Sequence, residues 1–355
     1  MINNEFHCAF QEVVNSKELN ELERICNKFN VTMKSIHKIK DKYRVVDYGD
    51  NLYCLKKTKK GKKRIVNSYN LTTQLYNHGF FNIPWYIATP RGNIYIDRKD
   101  KVFSMVQWIY GENEHFKDIN DTIEFSKLLG LFQNTCERIN LSSYKLRCTT
   151  KDWPRLYKNS IIDIEKYKGI IENKILRTDF DNFYYDQLDH ELAMALNCLK
   201  ILNVSPFYNM KNQCERKKVI CYNNIGSKDI KKYNNNIYLV DIDNISIDLR
   251  IMDLQRFIRY IMNKKEYQWD FSVAKNIIDA YTMYNPLSKE EITMILSFIC
   301  FPYDFWKIGR KRYMRHKNYT EEKYMRKLDK IISYKEAKEK FFYEYINYAN
   351  SLNKM

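Results

Sequence analysis

Two short apolar runs enclose a polar loop in the second half of the chain. Val219–Tyr222 ("VICY") precedes the loop and Ile237–Asp243 ("IYLVDID") follows it. Both runs are too short for stable helices and have the composition of buried strands. The separation of 17 residues between Asn224 and Asp241 leaves room for a loop, a strand, a turn and a second strand. The sequence therefore predicts a loop held between strands inside a region whose other segments are helical.

The first part of the chain has a different pattern. A helix is predicted over Ser16–Phe29, with Ser16 as its cap, and a second over Lys62–His78, ended by Gly79. Between and after these helices lie short alternating runs that favour strands. They are "TMKSIHKI", "YRVVDYG", "LYCLKKT", "WYIAT", "IYID" and "VFSMVQWI". This order predicts a small β-rich domain with one internal helix.

From Asp118 onward the spacing of apolar residues is helical, apart from a break over 204–218 and the two apolar runs. We therefore predict an α+β chain of two lobes, a β-rich N-terminal lobe over 1–109 and a larger helical lobe over 110–355. We found no internal repeat and no low-complexity tail.

Composition narrows the class of protein. Lys and Arg outnumber Asp and Glu by 60 to 43, giving a formal charge of +17 that attracts polyanions, although compositional bias is an alternative explanation. The most apolar helical run, from Ile292, covers about ten residues, half of what a membrane span requires. The nine cysteines are scattered without metal-ligand spacing, which predicts reduced thiols. We expect no signal peptide, no membrane span and no specific nucleic-acid motif.

The loop has the layout of a phosphoryl-transfer site. Such a site needs a carboxylate to orient or deprotonate the acceptor, oxygen ligands for metal ions, and a lysine for the phosphates. Asn224 stands at the expected base position, Asp229 follows five residues later, and Asp241 ends the next apolar run. Each residue alone also fits an ordinary turn or strand end, but the ordered set favours a phosphotransfer loop.

Further segments extend this layout over nearly the whole chain. They are "LYCLKK", "YNHGFFNIP", "MVQWIYGE", "VDIDNISIDLRIMDLQRF" and "YNPLSKEEITMILSFICFPYDFWKIGRKRY". With the loop, they resemble the aminoglycoside phosphotransferase and choline kinase group, and within it the spore coat protein S family. The resemblance implies a two-lobed protein-kinase-like fold with Mg-ATP as its cofactor. It implies that Lys56 binds ATP, that backbone groups of Gln107, Trp108 and Ile109 meet adenine, and that Asp229 and Asp241 hold metal.

The loop departs from the family pattern of His, any residue, Asp, and Asn at the fifth position after that Asp. Here Tyr222 replaces the His, Asn224 replaces the base Asp, and Asp229 replaces the Asn. An amide can hold a hydroxyl but cannot take its proton, and loss of a general base costs roughly 10²–10⁴-fold in rate. Lys56 also lacks an acidic partner in the helix that follows it. These departures favour an inactive kinase fold.

Three functions follow from these observations. The first is a structural or assembly protein of the spore coat, made in the mother-cell cytoplasm and partnered by other coat proteins. The second is an active Mg-ATP-dependent phosphotransferase acting on a small molecule or polysaccharide. The third is binding of acidic polymers through Lys56–Arg64, which holds seven basic residues in nine; a solvated surface loop is the alternative for this segment.

Overall fold

The computed structural model describes residues 14–352, except Lys60, Lys99, Ser143 and the side chain of Ser227. The chain forms two compact units. The first contains residues up to His115 together with 135–147 and 226–245, and the second contains 116–134, 148–225 and the residues from Ser246 onward. The division between 1–109 and 110–355 stays a prediction.

Eleven strands and twelve α-helices are assigned within the described residues. The strands are β1 (Met33–Ile39), β2 (Lys42–Asp47), β3 (Leu52–Thr58), β4 (Tyr86–Ile87), β5 (Ile96–Arg98), β6 (Lys101–Gln107), β7 (Glu112–Asn113), β8 (Ile220–Cys221), β9 (Ile230–Tyr233), β10 (Asn236–Leu239) and β11 (Ser246–Ile247). The helices are α1 (Ser16–Lys28), α2 (Lys62–Asn77), α3 (Ile119–Glu137), α4 (Trp153–Glu172), α5 (Asp179–Val204), α6 (Phe207–Lys217), α7 (Ile251–Met262), α8 (Phe271–Thr282), α9 (Lys289–Cys300), α10 (Tyr303–Gly309), α11 (Glu321–Ile332) and α12 (Lys335–Ser351).

The first unit is built on an antiparallel sheet in the order β1-β2-β3-β6-β4, with β5 also paired to β6. All six predicted strands are present, and the two predicted helices correspond to α1 and α2. Apolar residues of α1 pack with Tyr43, Val45 and Leu55 on one face of the sheet. The predicted cap of α1 is wrong by one residue, because the Asn15 side chain accepts the Glu18 N–H.

A second sheet of the first unit has the order β10-β9-β7. Strand β10 contains the first residues of the predicted apolar run, from Ile237 to Leu239. Asp241 lies two residues beyond the end of the strand. Strand β9 occupies the room that the spacing left for a first strand, but no apolar pattern marks its position, since its sequence "IKKY" carries two adjacent lysines and little apolar periodicity. Its pairing with β7 and β10 fixes the position of Lys231.

The second unit has a core rich in tyrosine. Tyr184, Tyr313 and Tyr324 are buried together with apolar residues of α4, α5, α10 and α11. Their hydroxyls find partners, as buried polar groups generally do; Tyr313 donates to Asp181 at 3.0 Å and Tyr184 to the Phe305 carbonyl at 3.3 Å. The predicted break over 204–218 is partly wrong, because it contains α6.

No helix of the described part is long and apolar enough to cross a bilayer. The described cysteines are all free thiols; seven are buried and Cys148 is exposed. Cys8 lies outside the described residues.

Candidate functional site

Two lysines lie side by side on the face of the first sheet opposite α1. Strand register places Lys42 of β2 opposite Lys56 of β3, and Lys56 opposite Ser104 of β6. Because side chains alternate along a strand, Tyr43 and Leu55 point to the other face, where they join the core. The pleat of two adjacent strands therefore places both lysines on one face.

Asp241 and Asp243, just after β10, provide the acids for these lysines. Lys56 Nζ lies 2.8 Å from Asp243 Oδ2 and 3.3 Å from Asp241 Oδ1, while Lys42 Nζ lies 2.9 Å from Asp241 Oδ2. Each carboxylate oxygen of Asp241 thus contacts one lysine. The sequence suggested that Lys56 lacked a partner, because α2 has no acid; Asp241 and Asp243 take that place.

Other donors fix the two carboxylates. The Asp243 N–H donates to Asp241 Oδ1 at 3.0 Å, and the Tyr86 hydroxyl donates to Asp243 Oδ1 at 2.9 Å. Arg64, from the first turn of α2, donates to the Asp243 carbonyl and to Asn244. The segment 241–244 is therefore braced by the sheet and by α2.

Burial makes this network energetically important. Lys56 is only 5% exposed. Burial alone would lower the pKa of Lys56, but Asp243 and Asp241 outweigh it and raise that pKa well above its ordinary value. Burial would likewise raise the pKa of Asp241, but Lys56 and Lys42 hold it below its ordinary value. Lys56 and Asp241 are therefore both charged at neutral pH and stabilise each other's charge.

Asp229, the second predicted metal ligand, ends a 3₁₀ turn at Ser227–Asp229. Its carbonyl accepts the Val240 N–H at 3.0 Å, which ties the turn to the residues just before Asp241. Burial raises the pKa of Asp229, Lys228 lowers it, and Asp241 raises it further. The negative charge of Asp241 therefore acts on the Asp229 carboxyl. Among the described residues, no group of three or more His, Cys, Asp or Glu side chains is arranged to hold a metal ion.

The predicted adenine-binding segment makes its hydrogen bonds within the protein. The Gln107 N–H donates to the Trp85 carbonyl at 2.8 Å, and the Trp108 N–H donates to the Leu52 carbonyl at 3.1 Å. The Ile109 carbonyl accepts a hydrogen bond of 2.7 Å from Lys231 Nζ, which also lies 4.3 Å from the Trp108 ring centroid. Three backbone groups of the predicted adenine-binding segment therefore already have partners within the protein.

Lys231 is an unusual cation. Burial, aided by the positive charges of Arg44 and Lys42 and opposed by Cys54, lowers the pKa of Lys231 to about 8. Its position follows from β9, the strand that sequence patterns missed.

The residues at the degenerate base and histidine positions lie in the second unit. Tyr222 is fully buried, and Asn223 has a left-handed backbone conformation with φ of 65°. The N–H groups of Tyr222 and Asn223 donate to Asp253 Oδ2 and Oδ1 at 2.5 and 2.9 Å. Arg256 bridges Asn223 Oδ1 at 2.6 Å and Asp253 Oδ1 at 3.3 Å. This bracing fixes the backbone on which Asn224 stands.

Asp253 lies near a helix start but does not cap the helix, whose N-cap position is Arg250. Helix α7 begins at Ile251, so Asp253 is its third residue and its carboxylate faces the loop. Burial raises the pKa of Asp253, although Arg256 and the N–H groups of Asn223 and Tyr222 act in the opposite direction.

This raised pKa predicts a pH effect. Between the ordinary value of 3.8 and the folded-state pKa, the folded protein binds more protons at Asp253 than the unfolded chain does. Stability from this group therefore rises as pH falls through the folded pKa. We expect the stability difference between wild type and Asp253→Asn to shift in favour of wild type on acidification from pH 7 to 4, by urea unfolding. A shift in favour of the variant would contradict this sign.

The structure thus brings together part of the predicted site. Lys56 and Asp241 are in contact, Asp229 is tied to the same segment, and Gln107–Ile109 is bound by Lys231. Sequence reasoning missed Lys42, Tyr86 and Lys231. The sequence signal available for these contacts was the two-residue spacing of Asp241 and Asp243, which indicates a pair of acids at one place. The basic segment Lys56–Arg64 is not wholly a surface loop, since Lys56 is buried and α2 begins at Lys62.

Solved structures share this fold. An aminoglycoside phosphotransferase from Alicyclobacillus acidocaldarius matches with a TM-score of 0.81 at 14% identity, covering 92% of this chain and 96% of that one. The spectinomycin phosphotransferase APH(9)-Ia, in complex with ADP and spectinomycin, matches with a TM-score of 0.59 at 15% identity, covering 92% and 99%. The amicoumacin kinase hAmiN, in complex with AMP-PNP, Ca²⁺ and Ami, gives 0.55 at 13%, covering 92% and 94%. The chain therefore has the predicted aminoglycoside phosphotransferase fold.

Sequence relatives identify the family within that fold. Spore coat protein S of Bacillus subtilis (strain 168) is 21% identical over 243 residues, which cover 67% of this chain and 68% of that protein. The family model described as spore coat putative kinase YutH matches residues 22–345. The chain therefore belongs to the spore coat putative kinase YutH family.

Proposed function

We propose that this protein is a structural or assembly component of the spore coat that keeps a kinase fold without transferring phosphate. The observation that carries the proposal is the pairing of both Asp241 carboxylate oxygens with the protein's own lysines. A metal-ligand carboxylate must be open toward its ion, because Mg²⁺ requires oxygen ligands at about 2.0–2.1 Å. Here Lys42 supplies the positive charge that a metal would bring.

The residues present do not fit Mg-ATP as they are arranged. A metal ion at Asp241 would have to displace Lys42, and adenine at Gln107–Ile109 would have to compete with Lys231 for the Ile109 carbonyl. Asn224 adds a third obstacle, because a neutral amide cannot accept the acceptor's proton. The ADP and AMP-PNP complexes belong to other proteins at 15% identity or less.

The resemblance to coat proteins supports the proposed role in the spore coat. The protein would be made in the mother-cell cytoplasm and deposited on the spore with other coat proteins. Its formal charge of +17 favours acidic partners. We expect a fluorescent fusion to collect at the forespore surface during sporulation. Uniform fluorescence in the mother cell throughout sporulation would contradict the assignment.

Exchanging the two loop residues tests the catalytic part. We compare wild type with the double variant Asn224→Asp, Asp229→Asn, measuring ATP hydrolysis and phosphate transfer in millimolar Mg-ATP. The expected result is no turnover by wild type. Activity that appears only in the double variant would show that the native loop is disabled, since a restored base is worth roughly 10²–10⁴-fold.

The control variant is Asp229→Asn alone, which changes the candidate metal ligand without restoring the base. Turnover by wild type would overturn the proposal and favour the phosphotransferase function. That activity should then be abolished by Asp241→Asn.

A further inference from the structure

We propose that Arg44 and Lys231 form a binding site for a small phosphate-bearing anion that requires no metal ion. The proposal goes beyond the coat function, because the site would exist whether or not the protein transfers phosphate. It concerns the part of the first unit where β2, β6 and β9 contribute side chains, next to Lys42 and its ion pair with Asp241.

Strand register places Arg44 on the same sheet face as Lys42 and Lys56. Arg44 lies opposite His37 on β1 and Cys54 on β3, and Cys54 lies opposite Val106 on β6. Cys54 and Val106 belong to a small apolar cluster against which Trp108 packs. The Arg44 side chain therefore lies beside the cluster that carries the Trp108 ring.

Lys231 reaches the same cluster from β9. Its Nζ lies over the Trp108 ring at 4.3 Å from the centroid and donates to the Ile109 carbonyl at 2.7 Å. An ammonium group has three N–H donors, so this hydrogen bond leaves two for a ligand. The carbonyl and the ring orient Lys231 without neutralising it.

The charge on these two residues is not compensated by acids. In contrast to Lys42 and Lys56, neither Arg44 nor Lys231 forms an ion pair with a carboxylate of the described residues. The Arg44 Nε is buried, and no described residue accepts a hydrogen bond from it. A buried donor without a partner destabilises the folded protein. A bound anion would provide the missing acceptor and countercharge.

Phosphate suits this arrangement better than a neutral base does. The guanidinium fork matches two phosphate oxygens, and a lysine ammonium adds a third charge-assisted hydrogen bond. Lys231 already covers the Trp108 ring, so a stacked base would have to displace it. Lys42 is turned toward Asp241, which leaves Arg44 and Lys231 as the anion ligands.

The test is calorimetric titration of the full-length protein with inorganic tripolyphosphate in the presence of EDTA. We expect saturable binding that survives metal removal. Arg44→Gln and Lys231→Gln should each weaken it by about tenfold, the loss of one charge-assisted hydrogen bond. Lys59→Gln is the matched control, because it removes the same charge from an exposed residue of the basic segment. It should change the affinity by less than about twofold.

Several outcomes would overturn the site. They are absence of binding at millimolar tripolyphosphate, equal weakening by Lys59→Gln, or a strict requirement for Mg²⁺. Titration with ATP in EDTA and with adenosine separates the chemistry: ATP should bind through its phosphates and adenosine should not. Adenosine binding as tight as ATP binding would show a base pocket instead.

A footprint on wild type removes any dependence on how the variants fold. Amine acylation at Lys231, quantified by peptide mass spectrometry, should fall in tripolyphosphate while acylation at Lys59 stays unchanged. Equal protection of both lysines would indicate only general screening and would contradict the site. Turnover by wild type in Mg-ATP would contradict the proposed function but not this site. Absence of tripolyphosphate binding would contradict this site but not the proposed function.

Discussion

Lys56→Met should destabilise the protein by about 2–4 kcal/mol, as measured by urea unfolding at pH 7. The substitution removes the cation closest to Asp243 and leaves that carboxylate with the Tyr86 hydroxyl as its remaining side-chain donor in the described structure. Removing one partner of a buried ion pair costs more than the pair contributes, because the other charge stays buried. We place this cost below the roughly 3–5 kcal/mol expected for breaking a fully buried ion pair. The Asp243 side chain is 14% exposed, and Asp241 still pairs with Lys42.

The sign of this effect separates two roles for Lys56. A lysine held for ligand binding is commonly destabilising in the free protein, so replacing it is neutral or stabilising. A lysine held as the countercharge of the 241–243 segment is needed for stability. A loss below about 1 kcal/mol would contradict the structural role proposed here.

Two further variants control the Lys56 experiment. Lys59→Met removes an exposed lysine three residues away and should change stability by no more than about 0.5 kcal/mol. Adding Asp243→Asn to Lys56→Met should recover at least half of the loss, since the uncompensated charge is then removed. A double variant no more stable than Lys56→Met would show that packing of the lysine stem, not charge, causes the loss.

The sequence was sufficient for the elements that depend on local pattern. Alternation predicted β1 to β6, and the apolar run before Asp241 predicted β10, because these segments bury side chains at a regular period. The spacing before Asp241 left room for strand β9, but its position could not be predicted because one isoleucine followed by two lysines has no apolar alternation. Helix α6 lies inside the predicted break over 204–218; Pro206 stands at its N-cap position, and proline is tolerated at a helix start.

The site could be predicted only in part, since its contacts depend on register. Lys42 is one of 60 basic residues, and only its position opposite Lys56 brings it to Asp241. An Asp near a helix start has the sequence pattern of a cap, but Asp253 lies three residues past the N-cap position of α7 and accepts the Tyr222 N–H of the loop instead. Cross-strand and loop contacts of this kind are set by tertiary packing and leave no trace in local spacing.

The second large effect is expected at Gly111, just before β7. Gly111 has a φ of +91°, and a Cβ there would lie 2.0 Å from the Lys232 carbonyl oxygen and 2.9 Å from Tyr233 Cβ. The backbone of β9 cannot yield like a flexible side chain. Gly111→Ala should therefore cost about 3–5 kcal/mol, combining roughly 1–2 for the left-handed conformation with the separation of two backbones.

Gly92→Ala separates the two causes. Gly92 has a φ of +78° but nothing within 4 Å of the position of a Cβ, so alanine there meets only the conformational cost of about 1–2 kcal/mol. Because β9 also carries Lys231, displacing it in Gly111→Ala should move the ammonium away from Trp108. We expect the tryptophan fluorescence of the folded Gly111→Ala protein to differ from that of wild type. The fluorescence of Gly92→Ala should be unchanged. Equal stability losses in the two variants would show that conformation alone, and not contact with β9, requires glycine at position 111.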